Sequence, residues 1–112
     1  YHALQRQQLT AEVAADLLPD RATLALIWRY LASGTSPIQD SPMCLCRKIV
    51  RWSGAPLSLG KLMTCLDIFR DVGLLQIHRH HKYLILALTP GTEKADLNES
   101  QTLQLLLRAK ES

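Results

Sequence analysis

Several things are missing from this sequence. No uninterrupted apolar run among its 112 residues exceeds a few positions, whereas a transmembrane helix needs about 20; a membrane partner is therefore not expected. There is no basic, apolar, small-residue leader. The chain begins at Tyr1 rather than Met, which suggests a fragment of a longer protein. No internal repeat or low-complexity segment interrupts it. The cysteine count is odd: Cys44, Cys46 and Cys65. Cys44 and Cys46 are too close on a helix to bridge, and C-x-C is not a usual zinc spacing. Free thiols, buried or half-buried, in a reducing cytoplasmic setting are expected. The chain has enough apolar residues, 47% against 21% charged, for one folded domain without staples.

Acidic charge is scarce in one stretch only. Residues 1–40 and 84–112 each sum to −1, while residues 41–83 sum to +5. The middle holds Arg47, Lys48, Arg51, Lys61, Arg70, Arg79 and Lys82 against Asp67 and Asp71. A polyanion is the partner such a distribution suits.

Taken in order, residues 1–18 read as a linker or docking helix, with Thr10 as its cap and Leu9, Val13 and Leu17 as its stripe. Pro19 ends it. Residues 19–112 form the main domain. Asp20 caps a helix running to about Ala32, with Leu24, Ile27, Trp28 and Leu31 inward. Ser33–Asp40 reads as a loop. Ser41-Pro42 starts a second helix, to Trp52, whose Leu45, Ile49 and Trp52 point to the core. After a short turn, Ser58 caps a third helix that Gly73 closes. Leu59, Leu62, Met63, Leu66, Phe69 and Val72 give it one apolar face, leaving Lys61 and Thr64 outward and Asp67, Asp71 and Arg70 on a charged solvent side. Two β-prone runs follow, Leu74–His78 and Tyr83–Leu88, joined at His80-His81-Lys82 without an Asn-Gly signal. The second run is apolar enough to be covered on both faces. Thr89–Asn98 reads as a loop. Asn98 or Ser100 caps a last helix with Leu103, Leu106 and Leu107 inward. The fold class is thus α+β: a winged-helix-like helix-turn-helix with a C-terminal β-hairpin and flanking helices.

No constellation supports catalysis. Nucleophile motifs, phosphate loops and metalloprotease signatures are absent, so no catalytic residue is assigned. His78, His80 and His81 have no nearby Asp, Glu or Cys to complete a metal site, and basic neighbours oppose a cation. The basic cluster carries more. Arg47, Lys48, Arg51, Lys61, Arg79 and Lys82 are the candidate nucleic-acid-binding residues, from the two helices and the wing. The first two turns from Ser58 contain no Asn, Gln or Arg, which disfavours reading base edges. Weak, salt-dependent phosphate contact is expected instead.

Three segments carry a family resemblance: Pro19-Asp-Arg21, Leu66-Asp-Ile-Phe69-Arg-Asp-Val-Gly73-Leu-Leu75, and Lys94-Ala-Asp96-Leu97-Asn-Glu-Ser100. In this order and spacing the chain, from about Leu18 to Leu107, resembles the C-terminal domain of RecJ, the bacterial single-stranded-DNA-specific exonuclease of the DHH phosphoesterase group. The resemblance implies a parent 5′-to-3′ exonuclease of DNA repair and recombination that uses divalent manganese or magnesium. It also implies an accessory role for this part, binding single-stranded DNA weakly, docking a partner such as single-stranded-DNA-binding protein, or packing on the rest of the parent chain. The group's Asp-His-His motif is absent here, since His80-His81 follows Arg79, so no metal ligand carries over. The alternative from another class is a winged-helix DNA-binding transcription regulator.

Overall fold

Residues 11–34, 37–89 and 97–111 are described by a computed structural model. They form α1 (Ala11–Leu17), α2 (Arg21–Ser33), β1 (Ile38–Asp40), α3 (Pro42–Ser53), α4 (Leu59–Asp71), β2 (Leu75–His80), β3 (Tyr83–Leu88), a 3-10 turn (Leu97–Glu99) and α5 (Gln101–Glu111). The class is α+β, and the sheet is antiparallel in the order β1-β3-β2.

Local chemistry accounts for the helix boundaries. Asp20, Ser41 and Ser58 each adopt extended backbone and accept from the N–H three residues on, which satisfies a donor that the first turn leaves free. Pro42 opens α3 where no donor is lost. Gly54, with φ 72°, ends α3 by donating to the Val50 carbonyl. At the end of α4, Gly73 has φ 82°. Its N–H reaches the Arg70 carbonyl at 3.0 Å, and the Leu74 N–H reaches that of Phe69 at 2.9 Å. These paired bonds are the glycine-dependent helix stop that the sequence suggested.

α4 departs most from expectation. Every residue from Leu62 to Phe69 is buried, Thr64 and Cys65 completely. Thr64 is not outward: its hydroxyl donates to the Gly60 carbonyl at 2.8 Å. Asp67 is not on a solvent face either, being 5% exposed and paired with Arg70 at 3.4 Å. One apolar stripe implied a half-buried helix, whereas α4 is packed against α1, α2, α3, α5 and β2. Phe69 anchors this core with Trp28 from α2, the ring centroids 5.2 Å apart.

Three smaller differences matter. Part of the expected loop Ser33–Asp40 is strand β1, paired Ile38 to Leu86 and Asp40 to Leu84; a two-stranded hairpin is thereby extended to three strands. Trp52 faces outward rather than into the core, 50% exposed. In α5 Leu103 and Leu106 are buried, but Leu107 is exposed. The hairpin closes through His81-Lys82, with His81 in the left-handed region at φ 58°, a conformation His tolerates better than most residues. In β3, Leu84 and Leu86 are buried, whereas Ile85, Ala87 and Leu88 are half-buried, so the second face is covered only in part.

The α1 stripe is also shifted. Val13 is exposed, and Ala14 instead packs with Leu106, alongside Leu17, Leu18 and Ala109. Thr10 and Leu9 lie outside the described residues, as do Lys94, Ala95 and Asp96 of the third resembling segment. At the other end of α5, Ser100 caps the helix through the Leu103 N–H. Asp71 of α4 adds a second cap from 31 residues away in the chain, accepting from the Thr102 N–H at 3.0 Å and from the Ser100 hydroxyl at 2.7 Å. Partial burial opposes ionisation of Asp71, but the hydrogen bonds from Thr102 and Ser100 outweigh it and hold the carboxyl below its ordinary 3.8.

Two expectations follow. Phe69→Ala, which empties the centre of the core, lowers stability by about 3–5 kcal/mol in urea denaturation; a loss below about 1 kcal/mol would contradict the packing of α4. Asp71→Asn costs about 1 kcal/mol, the usual value of a lost cap. Because the folded-state pKa is the lower one, the Asp71 contribution is complete above the unfolded value and disappears as pH falls through the folded value. The wild type therefore loses more stability than Asp71→Asn when the pH is taken from neutrality to below 3.8, and parallel losses would contradict the cap.

Candidate nucleic-acid interface

The six basic residues read from the sequence sit on α3, at the start of α4 and on the β2–β3 hairpin. Arg47, Lys48 and Arg51 share α3, and all are exposed. Helical geometry places Met43, Arg47, Arg51, Cys44, Lys48 and Trp52 in that order around its outer side, opposite buried Leu45, Cys46 and Ile49. No acidic residue lies on α3. The near absence of carboxylates leaves the arginines' positive field largely uncompensated along that side.

Lys48 is tied down. Its Nζ meets Asp40 Oδ2 at 2.6 Å. The hydrogen bond to Asp40, and then that carboxylate's charge, raise the Lys48 pKa. Lys48 is thus a shared cation rather than a free one. Asp40 ends β1, opposite Leu84 of β3, which in turn faces Arg79 of β2. Asp40, Leu84 and Arg79 therefore line up across one face at one end of the sheet, with the outer strands roughly 10 Å apart. Lys82 sits on the exposed hairpin turn, its Nζ 5.9 Å from the Tyr83 ring centroid.

Lys61 belongs elsewhere. It is half-buried at the start of α4 and lines a hollow of about 640 Å³ with Asp16, Thr23, Pro56, Leu57 and Ser58. Its charge helps lower the Asp20 pKa, after the Thr23 hydrogen bonds. Lys61 thus has acidic neighbours in Asp16 and Asp20.

On the opposite face of the sheet, His78 and His80 pair with Ile85 and Tyr83. The rings of His80 and His81 meet edge to face at 4.5 Å. No group of three His, Cys, Asp or Glu side chains comes together among the described residues, and no described helix is long and apolar enough to cross a membrane.

Of two aromatic residues beside α3, Trp52 was expected in the core and Tyr30 was assigned no place. Trp52 packs edge-on against Tyr30 of α2, centroids 5.5 Å apart at 72°. Helical spacing set Trp52 in line with Leu45 and Ile49, and only the place of α2 shows that it borders the core without entering it. A second feature is an apolar groove of about 650 Å³ between α2 and α5, floored by Leu24, Trp28, Phe69, Leu74 and Leu103, with Asp20 and Arg21 also lining it.

Comparison of the chain with protein-family models, with curated proteins and with solved structures finds no match.

The cysteines divide cleanly. Cys44 is exposed among the α3 cations, whereas Cys46 and Cys65 are buried. Cys46 donates to the Leu57 carbonyl at 3.3 Å. Burial pushes the Cys65 thiol up to about 12, so the reactive thiolate scarcely forms there. A thiol titration at pH 8 should therefore find one fast cysteine in the native protein and all three in denaturant. Rapid reaction of two or three in the native state would contradict this burial.

Proposed function

We propose that the chain is an accessory nucleic-acid-handling module without catalysis of its own, built on a winged helix, from the C-terminus of a RecJ-like single-stranded-DNA exonuclease. One observation carries the binding reading: α4 is enclosed from Leu62 to Phe69, while α3 beside it exposes Arg47, Lys48 and Arg51 with no acidic residue on the helix. Support for the winged helix comes from the succession α2-β1-α3-α4-β2-β3 and from β1 pairing beside the second hairpin strand. In that fold the helix corresponding to α4 enters the major groove. Here its side chains are spent on the core, which disfavours the alternative of a transcription regulator reading a duplex site. Contact then falls to phosphates, through Arg47, Arg51 and the hairpin cations Arg79 and Lys82.

The RecJ assignment rests on the three segments quoted above. The divalent metal it implies, manganese or magnesium, finds no fitting donor set among the described residues. It belongs to residues of the parent enzyme outside this chain, and no step of this module's work passes through it. A cytoplasmic location goes with the same assignment.

A second reading has its own observation. The groove over Trp28, Phe69 and Leu103 is apolar, and both Asp20 and Arg21 line it. Such a site suits a short peptide with an apolar end, as a repair partner such as single-stranded-DNA-binding protein, or the rest of the parent chain, would present.

The test is a salt series. Binding of a labelled single strand is expected to be weak, with log affinity falling linearly in log salt. Arg47→Ala/Arg51→Ala reduces both affinity and slope, by about 0.7 in slope per lost phosphate contact. Lys48→Ala has a smaller effect, because Asp40 already holds that amine. Tight, sequence-dependent duplex binding would overturn the reading.

A further inference from the structure

We infer that Trp52 and Tyr30 form a base-stacking platform, so that the α3 surface holds its single strand by the bases as well as the phosphates. This inference rests on the proposal that α3 binds nucleic acid and names the side chains that engage the bases.

Trp52 is the most exposed aromatic side chain among the described residues, at 50%, in a chain with only two tryptophans. The other, Trp28, packs on Phe69 in the core. An indole left half in water serves packing poorly, because its apolar area gains most when enclosed. Its orientation is nevertheless held. Tyr30, from the last part of α2, meets it edge to face, and such a contact fixes a ring while leaving part of its surface free.

The surroundings are cationic. Arg51 precedes Trp52 directly, and Lys48 lies one turn earlier on the same side of α3. Lys48 also lines, with Tyr30, Ser33, Ile38, Gln39 and Asp40, a shallow hollow of about 320 Å³ beside the platform. That space suits one planar base, with hydroxyl, amide and carboxylate groups at its edge. Aromatic rings set among arginines along a positive track are how single strands are held without strict sequence choice.

Charge and geometry select the occupant. An acidic peptide would satisfy the arginines but offers no flat rings to stack. A duplex satisfies the arginines too, but its bases are already stacked on each other, and α4 is closed to a groove. A single strand satisfies both features.

The test uses the full chain with three probes of equal length: an oligothymidylate, an abasic deoxyribose-phosphate strand and a duplex. The oligothymidylate is expected to bind best and to quench tryptophan fluorescence, which the abasic strand does not. Trp52→Ala should weaken oligothymidylate binding about tenfold, leave the salt slope unchanged and leave abasic binding unchanged, with Trp52→Phe in between. Should Trp52→Ala unfold, as read by circular dichroism, the quenching and abasic comparisons on the wild type still decide. Equal affinity for both strands without quenching, together with weakening by Arg47→Ala/Arg51→Ala, would overturn the platform and leave the phosphate reading standing. No binding of any probe at low salt would overturn both.

Discussion

The complete burial of α4 between Leu62 and Phe69 is the constraint on which the rest of the molecule depends. A helix enclosed on every side needs neighbours in several directions, and each contact adds a demand. Gly60 leaves room for α1: a Cβ there would stand 2.8 Å from Leu17 Cδ2. Ser58 and Gly73 fix where α4 begins and where the chain leaves for β2. Asp71, at its last residue, holds the start of α5. The central helix thus also orders α1 and α5.

Enclosure has a functional consequence. Side chains such as Thr64 and Cys65, placed where base-reading groups would stand if this is a winged helix, are completely buried. Positive charge survives where the core leaves helices uncovered, the outer side of α3 and the hairpin among them. Arginines and lysines there cost little to keep, because their heads stay in water. The same division separates the two tryptophans, one enclosed against Phe69 and one left at the rim.

Legibility in the sequence follows the range of the forces involved. Caps at Asp20, Ser41 and Ser58, and the stop at Gly73, are decided within a few residues and could be read directly, whereas the last cap stayed open between Asn98 and Ser100. Strand β1 was not legible, because three residues carry no periodicity and their pairing with Leu84–Leu86 spans more than 40 positions of chain. The covering of α4 escaped for a related reason: Thr64 and Asp67 look like a polar side until α1 and α5 arrive from the chain's two ends. Of the candidate cations, Arg47, Lys48 and Arg51 are exposed on α3 as their spacing implied. Lys61 was set outward by its phase on α4, and phase alone could not show that it is half-buried in a hollow shared with Asp16. Trp52 matched the core stripe in phase, and only the position of α2 decides which side of the boundary it takes.

Strand β1 also links sheet and helix in a way that bears on binding. Its last residue, Asp40, pairs with Leu84 in the sheet and with Lys48 on α3, so the helix cannot roll without breaking an ion pair. As that pair is exposed on the lysine side, its energy is small; its value is directional. Burial of Leu45, Cys46 and Ile49 keeps Arg47 and Arg51 facing outward, and the Lys48 pair acts in the same sense. A ligand of the proposed kind would meet groups already arranged, which lowers the ordering cost of binding. The short strand that propensity could not reveal thus adds one directional contact to a helix already seated by Leu45, Cys46 and Ile49.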